Sequence, residues 1–385
     1  MMTAVVQALG MAFAMGWEIL WPLILGFALS AVVQAVVSHS EMSRLLPDDS
    51  PRSLAIALGL GAASSSCSYA AVALARALFR KGANFTAAMA FQLASTNLVF
   101  ELSVIIIVLM GWQFALAEFV GAPIMTVFLV ILFRRFLRPS LLREAKEQAE
   151  KGIAGRMEGH AATDMSVTEG GSLWQRIASP QGLTAISHYF VMDWAAVWLD
   201  IAGGLLIAGA LAAWVPNDFW QAFFLVDHPV FATLWGPLIG PLVAILSFVC
   251  SVGNIPLAAV LWDGGISFGG VIAFIFADLI VLPILNIYRK YYGWKMAAFL
   301  LVTFYVAMAG AALIVDAAIG ALGLVPESRN LSVVEASVTW NYTTWLNILF
   351  LLLATSLVWR FMKTGGPEML RMMNARPHRE LGSHS

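Results

Sequence analysis

The stretch Arg52–Lys81, RSLAIALGLGAASSSCSYAAVALARALFRK, decides how the rest of the chain is read. It is apolar on both flanks and small and hydroxylated at its centre. Arg44 precedes it, Arg52 opens it, and Arg76, Arg80 and Lys81 close it. Basic loops stay on the cytoplasmic side of a bilayer, so both ends belong inside and the segment must turn back within the membrane. Split at its Ser/Cys centre, each arm is about a dozen residues, roughly 18 Å of helix. That is too short to cross ~30 Å of hydrocarbon. A re-entrant helical hairpin with its tip around Cys67 satisfies both constraints.

The whole composition requires a membrane. Charged residues make up 12% of the chain, about half the share usual in soluble domains, and several apolar runs reach the ~20 residues a transmembrane helix needs. The runs are continuous rather than alternating, which excludes a β-barrel reading. A net charge of −1 gives no footprint for a nucleic-acid partner. The opening MMTAVVQALG carries no basic residue, so it does not read as a cleavable signal peptide. With no CxxC, HExxH, phosphate-binding glycine loop or histidine cluster, the chain presents no catalytic centre and calls for no cofactor. It is not expected to be an enzyme.

The distribution of bases extends the topology. With 134–176, 289–295 and the tail from Arg360 placed inside, only Arg329 of the 22 Lys and Arg residues falls outside. The expected organisation is a first membrane repeat at 1–137, a cytoplasmic loop at 138–186 and a second, inverted repeat at 187–323. An external loop with an extra transmembrane helix follows at 324–362, then a cytoplasmic tail at 363–385. The N-terminus lies outside and the C-terminus inside. Odd crossing counts force the apolar segment 231–262 to re-enter as 53–79 does.

A shift of 183 positions aligns 64–102 with 247–285 without a gap. It pairs Ser64 with Ser247, Cys67 with Cys250, Ser68 with Ser251, Leu74 with Leu257, Gly82 with Gly265, Phe85 with Phe268 and Phe91 with Phe274. Trp17, Trp21 and Gly26 pair with Trp194, Trp198 and Gly203 at a shift of 177, and the tryptophans read as interface anchors and packing residues. Each half is then three crossings plus a hairpin, so the halves insert in opposite directions. This is a common plan of secondary transporters, with the cargo site at the meeting of the halves. The fold class is an all-α polytopic membrane protein: an inverted repeat, one re-entrant hairpin per half, and one extra C-terminal helix.

The hairpin tips carry the candidate site. Broken backbone at membrane depth survives only when buried in protein or lining a wet cavity. Gly253, Asn254 and Pro256 suit such a break, and Ser64, Ser66, Ser68 and Ser251 can satisfy freed backbone groups. Cys67 and Cys250 are the only thiols and hold equivalent places. They suit soft cargo: a thiol-reactive metal, a metalloid or a sulfur species. Segment 84–110 adds Gln92, Ser95 and Thr96 on one helical face, with Asn97 and Glu101 as an i,i+4 pair on another. Glu101 and Asp278 are candidate carriers of a coupling proton, because intramembrane acids are costly and default to function. A membrane thiol–disulfide redox enzyme using the two cysteines, or a channel-like subunit, remain as alternative readings.

The stretches SSSCSYAAVALARALFRKGANFTAAMAFQLASTNLVFEL and FVCSVGNIPLAAVLWDGG resemble the YraQ-type predicted permease family, which includes the trivalent organoarsenical efflux permeases. The resemblance covers most of the chain apart from the central loop and tail. It implies an inner-membrane permease of a prokaryote that moves a small molecule or ion, with Cys67 and Cys250 at the tips. Many members carry a second thiol just before the later cysteine of the first tip; here Ser65 stands in that place. The resemblance therefore carries the permease class and leaves cargo and direction open.

Overall fold

The computed structural model describes residues 2–36, 45–64, 68–80, 82–150, 165–167, 172–214, 217–247, 251–326, 329, 340 and 342–374. Among them the chain is helical throughout. Six stretches are long and apolar enough to cross a membrane: Ile19–Val36, Phe85–Leu109, Trp112–Phe136, Phe268–Tyr292, Trp294–Ala321 and Tyr342–Lys363. The first half consists of α1 (Met2–Val36), α2 (Pro51–Ser64), α3 (Ser68–Arg80), α4 (Phe85–Asn97), α5 (Phe100–Leu109) and α6 (Trp112–Phe136). An amphipathic helix, α7 (Pro139–Glu150), and a short α8 (Leu173–Ala178) lead to the second half. There follow α9 (Pro180–Trp214), α10 (Asn217–Phe223), α11 (Pro229–Ser247), α12 (Ser251–Asp263), α13 (Phe268–Phe276), a 3-10 turn (Ala277–Leu279), α14 (Leu282–Tyr292) and α15 (Trp294–Ala321). The chain ends in α16 (Tyr342–Lys363) and α17 (Gly366–Asn374).

The arms α3 and α12 stop in the same way. Gly82 and Gly265 adopt left-handed backbone with φ of 105° and 107°. The Gly82 amide donates to Phe79 O and the Ala83 amide to Leu78 O. Gly265 donates to Trp262 O and Ile266 to Leu261 O. This double bond pattern past a left-handed glycine is a Schellman cap, which satisfies helix carbonyls that would otherwise be orphaned. The next helices also start alike: the Asn84 side chain accepts from the Thr86 and Ala87 amides, and that of Ser267 from the Gly270 amide. Gly82→Ala and Gly265→Ala should each lower the melting temperature, by an amount corresponding to about 1–2 kcal/mol, because a Cβ is disfavoured at positive φ. A thermal melt of the purified protein checks this.

Bonds between elements place their ends on two faces. The Asn84 backbone N–H donates to Leu46 O at 2.8 Å, so the two ends of 46–84 lie side by side. On that face Arg134 pairs with Asp49 at 2.7 Å, Arg76 donates to Ala149 O at 2.8 Å, and Lys295 pairs with Glu144 at 2.9 Å. Helix α15 leaves this face at Lys295 and rises about 42 Å over its 28 residues. Around its far end Leu313, Asp316, Ala317 and Gly320 share a cavity of about 660 Å³ with Val226, Thr233, Trp262, Gly265 and Arg329.

Equivalent long helices pack antiparallel. Between α6 and α15, Gly121 meets Val315, Gly310 meets Phe128, and the rings of Phe133 and Phe299 lie 5.3 Å apart. Between α1 and α9, Gly209 lies on the backbone of Ala8, Gly16 on Leu205, and Phe27 edge-on to Trp194. The extra helix α16 docks on this pair through Asn347. Its amide donates to Trp17 O at 2.8 Å and accepts from the Trp21 amide at 2.9 Å, spanning two backbone groups one turn apart. Trp17 Nε1 donates to Thr344, so this tryptophan works as a packing residue.

Two of the spans, Phe85–Leu109 and Phe268–Tyr292, are interrupted, at 98–99 and at 277–281. Helices α5 and α14 restart after Val99 and Val281, and Pro283 sits in the first turn of α14. Near the first break, Ser95 Oγ donates to Gln92 O, while Thr96 Oγ1 and Asn97 Nδ2 donate to Leu93 O. Side chains of this kind compete for helix carbonyls and favour bends and ends. Asn97 and Glu101 thus belong to different helices and are not an i,i+4 pair.

Candidate functional site

The first turns of α3 and α12 meet in the interior. Ser68, which opens α3, donates its hydroxyl to Asp278 Oδ2 at 2.7 Å. The amide of Ser251, which opens α12, donates to Ser68 Oγ at 3.2 Å. Ser68 and Asp278 are completely buried and Ser251 nearly so. These first-turn amides have no helical carbonyl to bond, and here one of them finds a side-chain oxygen from the other half of the chain. Residues 68 and 251 are repeat equivalents, so the halves touch at a position that each supplies once.

Asp278 sits on the 3-10 turn between α13 and α14. Its Oδ1 has no hydrogen-bond partner among the described residues. Thr96 and Asn97, at the end of α4, stand against the same carboxyl. Asn97 Nδ2 also donates to Thr96 Oγ1 at 2.9 Å. One helical turn earlier, Gln92 donates from Nε2 to the Tyr288 hydroxyl of α14, and its Oε1 has no partner among the described residues. Gly253, Asn254 and Pro256 are buried along α12, and Ser64 is buried at the end of α2. Pro256 lies inside α12 without interrupting it. Cys67, Cys250 and Ser66 lie outside the described residues, as does Ser65.

Glu101 stands apart from this cluster. A side chain at Gly26 of α1 would collide with that of Glu101, which also interacts electrostatically with Asp193 of α9. Asp193 in turn accepts from Gln34 Nε2 at 3.1 Å. The two candidate proton carriers therefore serve different neighbourhoods: Asp278 beside Ser68 at the start of α3, Glu101 against the α1–α9 pair.

The residue that sequence reasoning missed is Glu118, on α6. It is 1% exposed, both carboxyl oxygens lack a hydrogen-bond partner among the described residues, and it interacts electrostatically with Asp278. The signal was available: Glu118 is the one acid within the apolar run 112–133, and an acid in a span is a functional candidate by default. Replacing an unpartnered buried carboxyl with a hydrocarbon of similar size removes a desolvation cost. Glu118→Leu should therefore raise the melting temperature by several degrees, corresponding to about 1–3 kcal/mol, while reducing activity. A thermal melt in detergent beside a transport assay checks both signs.

The family model ArsP_1, described as "Predicted permease", matches residues 4–317. A protein of Mycobacterium tuberculosis named "Putative permease Rv2963" is 62% identical over 342 residues, covering 89% of this chain and 84% of that protein. No solved structure matches the chain.

Proposed function

We propose, for a chain that belongs to the ArsP_1 family of predicted permeases, that this membrane transporter moves a small solute between two re-entrant hairpin tips meeting at Ser68 and Ser251. The observation that carries the reading is the buried chain from the Ser251 amide through the Ser68 hydroxyl to the Asp278 carboxyl. It joins repeat-equivalent residues of the two halves, as expected of a site on the axis of an inverted repeat. Cys67 and Cys250 each immediately precede one of these serines, which favours a soft cargo: a thiol-reactive metal, a metalloid or a sulfur compound. Gln92, Thr96 and Asn254 would shape the passage. Asp278 and Glu118 would exchange the coupling proton, with Glu101 relaying movement or charge on the α1–α9 side. The setting is a prokaryotic cytoplasmic membrane, with the basic face that carries α7 turned inward.

The test is flux in proteoliposomes containing the purified full-length protein, with trivalent arsenicals, Zn(II), Cu(I) and small thiols as probes and an imposed pH gradient as the driving force. The reading expects at least one probe to be moved and to raise the melting temperature by mass action. Ser68→Ala and Cys67→Ser with Cys250→Ser should cut that flux. Saturable flux that survives all three substitutions would move the pathway away from the tips.

A further inference from the structure

We infer that Lys146 and Arg329 are a matched pair of latches, one on each membrane face, each holding the base of one hairpin shut until transport releases it. The inference rests on the transport reading above and adds the residues that open each side.

The shift of 183 pairs Phe79 with Trp262, the rings near the ends of α3 and α12. It becomes 182 at Gly111 and Gly293, where α6 and α15 begin, and Lys146 and Arg329 each follow the last long helix of their own half. The two cations do the same thing in their own halves. Lys146 Nζ donates to Phe79 O at 2.6 Å and to Arg80 O at 3.3 Å, and lies 4.7 Å from the centre of the Phe79 ring. Arg329 donates from one guanidinium nitrogen to Trp262 O and Ile266 O at 2.9 Å each. Its central carbon lies 4.3 Å from the Trp262 ring centre. Both therefore sit where a hairpin exit arm ends: Lys146 on the last two carbonyls of α3, Arg329 on Trp262 O near the end of α12 and on Ile266 O in the turn beyond it, each over the arm's last aromatic ring.

The two sites lie at opposite ends of α15. Lys146 is two residues from Glu144, which pairs with Lys295 at the start of that helix. Arg329 shares a cavity with Gly320 near its end. The chemistry suits a releasable tie. Carbonyls and a ring face hold each half-buried cation, with Asp263 adding attraction at Arg329, and contacts of this kind are individually modest. The arms that enter the hairpins are held differently. Gly61 of α2 presses on the backbone of α4, and Gly240 of α11 on that of α13, contacts that admit no added atom. A fixed arm, a lightly tied arm and one tie per face are what alternate opening around a central site requires. Behind the second latch, the cavity lined by Trp262, Phe268 and Asp316 leads from that face toward the base of α12.

The native thiols report the opening, because Cys67 and Cys250 are the only two in the chain. The experiment applies a membrane-impermeant maleimide to right-side-out and inverted vesicles holding the full-length protein, without substrate. Lys146→Met should raise the labelling rate about fivefold or more from the α7 face alone, and Arg329→Met from the opposite face alone, the population shift expected from removing one weak tie. Lys146→Arg and Arg329→Lys should label like the wild type. Lys146→Gln and Arg329→Gln should give the same side preference at smaller size, so a methionine variant that fails to accumulate leaves the test intact. Labelling that does not change in any variant, or that rises equally from both faces, overturns the latches. Because labelling needs no cargo, side-selective labelling without flux of any probe would instead count against the transport reading alone.

Discussion

Asp278→Asn is expected to abolish gradient-driven flux, by about 100-fold or more, in a protein that still folds. The asparagine keeps the size of the side chain and an oxygen that can accept the Ser68 hydroxyl, so the 2.7 Å contact and the Ser251 amide behind it persist. What disappears is the capacity to gain and lose a proton in the middle of the packed interface. Asp278 is fully buried, and one of its oxygens has no partner among the described residues. Ser68, Thr96 and Asn97 hold this carboxyl in place, and natural sequences ordinarily avoid an acid in a span. The measurement is proteoliposome flux beside a thermal melt. Flux at the wild-type rate with an unchanged pH dependence would remove Asp278 from the mechanism and leave it a structural partner of Ser68.

Gly61→Leu is expected to remove folded protein altogether. The backbone of α2 runs so close to α4 that any Cβ at Gly61 would strike Phe91 O and Ala94 Cβ. Gly240 holds α11 against Gly270 O and Phe274 N in the same manner, and Gly240→Leu should do equal damage. Overpacking a well-filled interior costs about 1–3 kcal/mol when side chains can shift. Here the obstacle is backbone that carries a helix ladder, so the cost lies at or above the top of that range. Small residues at helix contacts are the usual means of close approach inside a membrane. Yield of monodisperse protein and its melting temperature measure the effect, with Gly59→Leu as the control: a Cβ at that glycine meets nothing within 4 Å.

Much of the site was legible because membranes punish polarity. Ser68, Ser251, Thr96 and Asp278 stood out against apolar surroundings, and the structure brings all four together. Glu101 stood out equally and belongs to a separate contact with Gly26 and Asp193. A one-dimensional pattern ranks how costly a residue is and says nothing about which other costly residue it meets. Glu118 escaped notice although the same rule applied to it, and only its interaction with Asp278 from another helix marks it as part of this cluster. The breaks at 98–99 and 277–281 were hidden for a related reason. Ser95, Thr96 and Asn97 before the first break and Asp278 within the second drew notice as polar groups in a span rather than as helix ends, and composition alone cannot separate one span from two short helices joined end to end.

The sequence by itself determined that the chain is helical and crosses a membrane several times, because hydrocarbon leaves a backbone few other ways to satisfy its polar groups. It also paired positions of the two halves, since Gly82 and Gly265, and Ser68 and Ser251, recur at one spacing. Tertiary structure alone decided that equivalent helices pack antiparallel, that Ser68 and Ser251 touch, that Asp278 has Glu118 for a neighbour while Glu101 has Asp193, and that Lys146 and Arg329 end up on carbonyls of matching arms. The physical reason is the range of the interactions. Hydropathy and capping act over a few residues and are written locally, whereas each of these contacts joins residues distant in sequence and exists only once the helices have packed.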